Sequence, residues 1–419
     1  MKIIRYLLAI PFLLTIGCKK NNSVEPIGQE GYHVSYSEQT VIIEDPGALV
    51  SENEDDGTVI VKKSAFEQEP LPGQTILISG EVMKKIKSVS STGNEYRFET
   101  EDAALTDIIR EGSIEWTVTP QWADATSLRI DGDEVMSTEG FHAGPIERSF
   151  HSGGVEHRIR IEPHTSRGEL NACTFSFEMI KREGGEATSR FFAKGVARLP
   201  EQHTQIGISN HKLNSFRAQM QGITVDLEIE MAAAGGYSSE HNFKIPKVAL
   251  SIPLKAIPTP AGLIPLPIPV SIDVGVHFVS QLMMSENASA QAKTKCSISA
   301  DGGFEYKGTD VEAKGNFSKA DILEGTFDAA AFLGIPVDLQ YGVAFPRISL
   351  NIGKQEVAYV HTAFTAGSSL YWGPVCKRGY SKTAIEGGYG LKVLGLELIQ
   401  SATKTFVESK KEAKGENCQ

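Results

Sequence analysis

Cysteine and positive charge are both scarce in this chain of 419 residues. Its five cysteines include no CxxC pair and no Cys/His spacing of the kind that binds structural zinc. Lysine and arginine number 41 against 52 aspartates and glutamates, so the net charge is −11. No basic run is interleaved with aromatic residues. A nucleic-acid partner is therefore not expected, because phosphate backbones bind clustered positive charge.

Sequence motifs that carry catalysis are also missing. There is no G-x-S-x-G elbow, no H-E-x-x-H zinc motif, no Walker A loop and no dinucleotide-binding G-x-G-x-x-G. The 52 acidic residues offer many carboxylate pairs for glycoside hydrolysis, and Trp116, Trp122 and Trp372 are candidates to stack on sugars. Without a motif to select among them, we predict a non-enzymatic protein. A hydrolase on a β scaffold is kept as a lesser alternative.

One apolar run stands near the N-terminus, and it is short. Lys2 and Arg5 precede the run, which extends from Tyr6 to Ile16 and cannot span a bilayer as a helix. A short positive segment followed by such a run is typical of an export signal that is later removed. We therefore expect residues 1–17 to be a signal peptide.

The signal ends in the sequence LTIGC at Leu14–Cys18, which resembles the lipobox of bacterial lipoproteins. Gly17 supplies the small residue that the family's peptidase requires, although Thr15 stands where the family most often has leucine. The resemblance implies lipidation of Cys18 by a thioether-linked diacylglycerol, and no other cofactor is expected. An ordinary signal peptide with a chance cysteine is the alternative.

A lipid on Cys18 makes a membrane the first expected partner, since each buried methylene contributes about 0.8 kcal/mol. Lys19, where some Gram-negative lipoproteins carry a retaining aspartate, resembles the pattern that sorts proteins to the outer membrane. We expect a location in the bacterial cell envelope, facing the periplasm or the cell surface. Residues 18–57 are expected to form a polar tether, with a short strand at Thr40–Ile43.

Alternating apolar and polar residues dominate the rest of the chain, and a period of two is typical of strands with one buried face. We therefore predict a mainly β, multi-domain fold of antiparallel sheets or sandwiches. The expected segments are an N-terminal β module at 58–120, a middle β region at 121–235 and a C-terminal long-strand domain at 236–419. One short helix is expected between Asp102 and Gly112.

Two parts of the body resemble exported bacterial surface proteins of unassigned activity. The first resemblance rests on Gly80–Val82, Ile86–Ser90 and Glu99–Asp107, and the second on the strand succession over Ile335–Ile352. Neither implies a reaction, and both imply a setting outside the cytoplasm.

Two alternating runs in the C-terminal half are unusually long, at 264–282 and 327–345. Each predicts one strand of about 60 Å, several times the usual length. Prolines occur at every second position at the start of the first strand, at Pro265, Pro267 and Pro269, so the amides that they lack all belong to one side of it. This spacing predicts a sheet edge or a polyproline lead-in there.

The apolar faces of these two runs allow two interpretations. They pack on each other as a sandwich core, or they line a long groove that carries an apolar ligand such as a lipid. The groove interpretation names six candidates: Ile268, Val270, Ile272, Val337, Leu339 and Tyr341.

Local composition predicts two further elements in this half. Asp301-Gly302-Gly303 indicates a hairpin turn, and Tyr389–Ile399 indicates a strand with a bulge near Leu394.

If Cys18 is lipidated, the other four cysteines allow three full pairings. Cys376 and Cys418 lie in polar, loop-like sequence and are the favoured disulfide, which would hold the C-terminus in place. Cys173 and Cys296 alternate with apolar residues, so they are interpreted first as small buried hydrophobes and second as another disulfide.

Histidines cluster between residues 142 and 164. His157 lies on the apolar side of a predicted strand and is interpreted as a core residue. His142, His151 and His164 are weak metal candidates, so we predict no metal site. The expected function is a membrane-anchored bacterial surface lipoprotein with an adhesive, structural or ligand-binding role toward an unidentified extracellular ligand or protein.

Overall fold

The fold is mainly β, as the alternation predicted. The computed structural model describes residues 31–53, 56–130, 133–137, 145–152, 154–166, 169–233, 241–242, 248–259, 262–284, 289–322, 328–332, 337–371, 376–396 and 403–414. Within these ranges, no helix combines the length and the apolar character needed to cross a membrane.

The first half of the strands, in chain order, are β1 (Tyr32–Tyr36), β2 (Thr40–Ile43), β3 (Leu49–Asn53), β4 (Thr58–Lys62), β5 (Thr75–Ile78), β6 (Val82–Thr92), β7 (Glu95–Asp102), β8 (Ile109–Val118), β9 (Ser127–Ile130), β10 (Asp133–Ser137), β11 (Ile146–Ser152), β12 (Val155–Ser166), β13 (Glu169–Glu183) and β14 (Glu186–Arg198).

The remaining strands are β15 (Glu201–Ser209), β16 (Lys212–Ala233), β17 (His241–Asn242), β18 (Val248–Pro253), β19 (Ala256–Thr259), β20 (Gly262–Pro265), β21 (Val270–Met284), β22 (Ser289–Tyr306), β23 (Val311–Ile322), β24 (Asp328–Phe332), β25 (Val337–Ile352), β26 (Gln355–Tyr371), β27 (Cys376–Tyr389) and β28 (Lys404–Lys414). One α-helix, α1 (Leu105–Ile108), and 3₁₀ turns at Pro46–Ala48, Lys63–Ala65, Trp122–Asp124 and Lys392–Leu394 complete the described elements.

β16 is the centre of an eleven-stranded sheet in which every pair is antiparallel. One edge of β16 pairs with β15 over its first half and with β14 over its second half, while the opposite edge pairs with β22. Beyond β15 lie β8 and β1, and beyond β14 lie β13, β12 and β11. β23 and β24 pair with the outer edge of β22.

A nine-stranded antiparallel sheet packs against the first. Its order is β10-β9-β18-β21-β25-β26-β27-β28, with β17 also paired to β21. The rings of Phe175 on β13 and Phe345 on β25 lie 4.1 Å apart, and those of Phe304 on β22 and Tyr389 on β27 lie 5.0 Å apart. These contacts join the two sheets in one apolar core, whose burial from water is the main stabilising term of such a fold.

The third sheet has six strands in the order β2-β5-β6-β7-β4-β3, and only its β2–β5 pair is parallel. Val59, Val61 and Phe98 are fully buried in a separate small core on this sheet. The amide of Gly80 donates to the carbonyl of Pro267 at 2.8 Å, and the amide of Gly353 donates to the carbonyl of Pro269 at 2.7 Å. The proline-rich lead-in to β21 therefore joins the six-stranded sheet to the larger body.

The two long alternating runs differ from the expected single strands. The run at 264–282 is divided between β20 and β21. The division occurs because the Pro267 and Pro269 carbonyls accept hydrogen bonds from Gly80 and Gly353 and not from a neighbouring strand. This agrees with the predicted proline lead-in. The run at 327–345 is divided between β24 and β25, which belong to different sheets. β21 and β25 are hydrogen-bonded neighbours in one sheet, with Val270 opposite Ile352, so the two apolar faces do not oppose each other.

The turn expected at Asp301–Gly303 is absent, and this prediction was wrong. β22 continues through both glycines, and its neighbour β16 carries the irregularity, between Met220 and Ile223. A Cβ on Gly302 would lie 2.9 Å from Val360 Cγ1, so glycine is needed there for the close approach of the two sheets.

The strand expected at Tyr389–Ile399 was also wrong. β27 ends at Tyr389, and a 3₁₀ turn at Lys392–Leu394 follows with Gly395 at φ 93°. The helix is shorter than expected, since β8 begins at Ile109. Gly112 does not end the helix. Instead it lies opposite Val34 in the β1–β8 ladder, where a side chain would collide with the backbone of β1.

Strand pairing does not follow the expected segments. β1 and β3 lie within the stretch expected to be a tether, and Thr40–Ile43 forms β2 as predicted. β8 pairs with β15 across the boundary at 120, and β16 pairs with β22 across the boundary at 235. The physical reason is that alternation determines which face of a strand is buried and does not determine which strands pair with it.

Candidate functional site

A polar cleft lies where the six-stranded sheet meets α1 and the start of β8, and we refer to it as the α1 cleft. Its volume is about 540 Å³. Ten residues line it: Ser37, Glu38, Gln39, Gly73, Thr75, Lys85, Thr106, Asp107, Arg110 and His211. Clefts between two structural units are common places for ligands to bind.

Three backbone segments are held together around α1. The amide of Ser37 donates to the Ile108 carbonyl at 2.7 Å, and the Thr40 hydroxyl donates to the same carbonyl at 3.2 Å. The amide of Thr75 donates to the Gln39 carbonyl at 3.0 Å. The Ile108 carbonyl, at the end of this one-turn helix, therefore positions one wall of the cleft. β2 and β5 continue that wall.

The turn between β15 and β16 supplies the opposite wall. Ser209 pairs with Lys212, and the two residues between them, Asn210 and His211, have φ values of 51° and 58°. Positive φ at both central positions defines a tight hairpin turn that matches the twist of the strands. Asparagine and histidine both adopt this conformation more often than most residues other than glycine, so the pair suits the turn.

Two hydrogen bonds hold His211 in that position. Its amide donates to the Arg110 carbonyl at 3.0 Å, and its Nδ1 lies 3.0 Å from the Thr106 carbonyl oxygen. A carbonyl only accepts, so Nδ1 is the donor in this bond. The imidazole is therefore fixed in orientation at the cleft.

The cleft is lined by two cations, Lys85 and Arg110, and by two carboxylates, Glu38 and Asp107. Lys85 and Arg110 form no ion pair with any residue in the described part of the chain. Of the two carboxylates, Asp107 accepts from the Ala104 amide at 2.9 Å. The two cations are therefore available to an anionic group, and Ser37 and Thr75 supply neutral polar groups beside them.

A second cleft of about 660 Å³ lies on the other side of α1 and also includes Thr106 and Asp107. Gly395, at φ 93°, packs directly on the Thr106 side chain, where any larger residue would collide. The short helix therefore lies between the turn at Asn210–His211 and the turn after Leu394, with one cleft on either side of it.

The predicted groove residues lie elsewhere. Ile268, Val270 and Ile272 are between 0% and 4% exposed and belong to the packed core between the two large sheets. The side chains of Val337, Leu339 and Tyr341 lie outside the described residues. None of the three clefts seen in the described residues is lined by a groove candidate.

Two of the four cysteines that were candidates for disulfides have described side chains. Cys173 and Cys296 are free and buried, and they form no disulfide. Burial raises the pKa of the Cys173 thiol to about 12, and the pKa of Cys296 is raised further for the same reason. Cys18, Cys418 and the side chain of Cys376 lie outside the described residues, so the lipidation and disulfide predictions stay predictions.

His157 is 3% exposed and stacks on Phe150 at 4.9 Å, which agrees with its interpretation as a core residue. His151 pairs opposite Glu156, whereas His164 pairs opposite Ala172, about 25 Å farther along β12. They do not converge, and His142 lies outside the described residues. No cluster of metal-binding side chains occurs among the described residues.

The aromatic candidates for sugar stacking are also placed in the core where they are described. Trp116 and Trp122 are each 1% exposed. Trp372 lies outside the described residues. Sequence reasoning missed the α1 cleft, although Asn210 between two alternating runs is a signal of a tight hairpin turn. Nothing in the sequence pairs that turn with α1, which lies about a hundred residues earlier.

Comparison with known proteins gives no relative. No protein-family model matches the chain, and neither a curated protein nor a solved structure matches it significantly.

Proposed function

We propose that this chain is a lipid-anchored protein of the bacterial cell envelope, whose β body binds a ligand or a partner and performs no catalysis. The observation that carries the proposal is the lipobox-like sequence at Leu14–Cys18. A diacylglycerol on Cys18 would hold the body at a membrane surface, and Lys19 favours the outer membrane. The described part of the chain begins at Gly31, and the twelve residues between Cys18 and Gly31 are mostly polar.

The α1 cleft is the place where we expect binding. Lys85, Arg110 and the oriented imidazole of His211 face it from three different segments. Two cations without carboxylate partners favour a polar ligand that carries an anionic group, because charge-assisted hydrogen bonds are about twice as strong as neutral ones. Acidic glycans of a cell surface have this chemistry. The lipid-carrier alternative has less support, because its three described groove residues fill the core.

The anchor is tested with Cys18→Ala. We expect the full chain to lose labelling by radioactive palmitate and to leave the membrane fraction, because the thioether can form only on this sulfur. Cys173→Ala is the matched control, since it removes a thiol that is fully buried in the body. Membrane association of Cys18→Ala equal to that of the control would contradict the proposal.

The binding role is tested with a double charge reversal, Lys85→Glu with Arg110→Glu. We expect binding to acidic members of a glycan array to fall at least about tenfold, which corresponds to about 1.4 kcal/mol for the loss of two charge-assisted contacts. Lys87→Glu is the control, because Lys87 lies on the same strand β6 but pairs with Glu101 at 3.4 Å, away from the cleft. Equal binding by the double variant and the control would exclude the cleft as the binding site.

A further inference from the structure

The hairpin formed by β19 and β20, here called the proline hairpin, is unusually apolar for a hairpin with exposed side chains. Its four pairs run from Ala256 opposite Pro265 to Thr259 opposite Gly262. From Ala256 to Ile272 the sequence contains no charged residue. A small hairpin on the surface of a protein in water is expected to expose polar side chains, so this composition requires an explanation.

One face of the proline hairpin is buried and the other is open. Ile257 is 1% exposed and belongs to the main core, whereas Leu263 is 74% exposed and Pro265 is also exposed. Leu263 is the most exposed large hydrophobic residue of those described. Both exposed side chains described on the hairpin are therefore apolar.

The base of the hairpin is firmly held. The amide of Leu266 donates to the Lys255 carbonyl at 2.9 Å, and the amide of Leu254 donates to the Val270 carbonyl at 2.8 Å. These two bonds close the hairpin on the start of β21. Leu263 is thus presented from an anchored base rather than from a free loop.

Gly31, the first described residue of the chain, lies beside this hairpin. Gly31 accepts from the Glu115 amide at 2.7 Å, and a Cβ on Gly31 would lie 3.5 Å from Cγ2 of Ile257. Leu263 pairs with Pro258, the residue after Ile257, so its Cα lies within about 10 Å of the Ile257 Cα. The described part of the chain therefore begins next to the exposed leucine.

We infer that the proline hairpin is a second membrane contact, in which Leu263 enters the lipid interface beside the acyl anchor. The inference rests on the proposed lipidation of Cys18. The roughly thirteen residue steps from Cys18 to Gly31 reach at most about 45 Å, so the anchor keeps the hairpin close to the bilayer. An apolar face enters the headgroup boundary by about 5–10 Å, and exposed Lys255 at the base suits anionic headgroups.

The test measures the depth of position 263 in a bilayer. Full-length lipidated chain carrying Leu263→Trp is reconstituted in vesicles of phosphatidylethanolamine and phosphatidylglycerol, with or without brominated acyl chains. The wild-type chain supplies the signal of the native tryptophans, which is subtracted. Leu71→Trp is the matched control, because Leu71 is 59% exposed and lies in the loop before β5 of the six-stranded sheet rather than in the proline hairpin.

Brominated lipid is expected to quench the added fluorescence at position 263 and to leave that at position 71 unchanged. Equal quenching at both positions, or none at 263, would overturn the inference. A blue-shifted emission at 263 without quenching would assign the leucine to a protein partner or a second copy, and would overturn the inference too.

Mass spectrometry of the N-terminal peptide separates the failure of the anchor from the failure of the hairpin contact. Absence of the diacylglycerol mass on Cys18 overturns the anchor together with the hairpin contact, whereas its presence without quenching overturns the hairpin contact alone.

Discussion

Asp273 is a carboxyl group in an unfavourable environment on the outer side of β21. Its side chain is 15% exposed, and Oδ1 has no hydrogen-bond donor in the described part of the structure. Burial raises the pKa of Asp273, and the Ser251 hydroxyl and the Arg129 guanidinium, 3.8 Å away, offset this only in part. The charged form therefore costs folding free energy at neutral pH.

We predict that Asp273→Asn raises the free energy of unfolding at pH 7.5. The folded-state pKa is raised, so the stability that the protonated carboxyl provides is complete below the unfolded pKa of about 3.9 and is lost as the pH rises through the folded value. Urea unfolding at pH 7.5 and at pH 3.5 measures this. The gain is expected to disappear at the lower pH, and a variant that is less stable than the wild type at pH 7.5 would contradict the argument.

β28 is an edge strand whose position depends on one aromatic residue. Phe406 lies among glycines of three strands: a Cβ on Gly302, Gly315 or Gly387 would lie between 2.8 and 3.2 Å from atoms of the Phe406 side chain. Its ring also lies 5.1 Å from that of Phe304. The three glycines form a socket that admits a large ring between the edges of the two sheets. This arrangement explains why glycine occurs inside strands, where it otherwise weakens them.

We predict that Phe406→Ala lowers the free energy of unfolding by about 2–3 kcal/mol, because a partly buried ring is removed and a cavity is left. Lys410→Ala, at an exposed position of the same strand, is the control and is expected to change it by less than about 0.5 kcal/mol.

A double-mutant cycle tests the socket directly. Gly315→Ala is expected to destabilise the wild-type protein and to cost less in the Phe406→Ala background, where the ring is absent. Additive effects of the two substitutions would show that the ring and the glycine do not contact each other in solution.

At the scale of the whole molecule, the described chain has two cores of unequal size. The larger core lies between the two long sheets and draws residues from Tyr32 to Leu394. The smaller one lies on the six-stranded sheet around Phe98. Few backbone hydrogen bonds connect them, among them the bond from Gly80 to Pro267. Leu77 and Met83 of the six-stranded sheet also pack into the larger core. Regions built around different cores are expected to open separately.

We predict that Phe98→Ala increases amide hydrogen exchange over residues 40–102 and leaves β21, β25 and β26 protected. Truncation of a fully buried phenylalanine costs about 3–5 kcal/mol. Phe175→Ala is the comparison, since it removes a ring from the larger core and is expected to increase exchange in both long sheets. Equal exchange patterns in the two variants would mean that the cores unfold as one unit.

The α1 cleft belongs to this scale as well, because it exists only where the six-stranded sheet, α1 and the β15–β16 turn meet. Its strongest local signal, Asn210 at a tight turn, indicates a hairpin and no function. Lys85 and Arg110 look like ordinary surface cations until the structure shows that they share a cleft and that neither forms an ion pair with a described residue. Sequence reasoning reached the lipidation motif and missed the cleft for this reason.

The period of two in the sequence determined by itself that the protein is mainly β and which face of β12, β13, β14 and β16 is buried, because side-chain direction in a strand is a local property. The same period left strand partners undetermined. Only the tertiary structure decided that β21 and β25 are neighbours, that the run at 327–345 divides between two sheets and that Gly302 lies within a strand. Those outcomes depend on contacts between residues far apart in the chain, such as the approach of Val360 and Phe406 to Gly302, and local pattern carries no record of them.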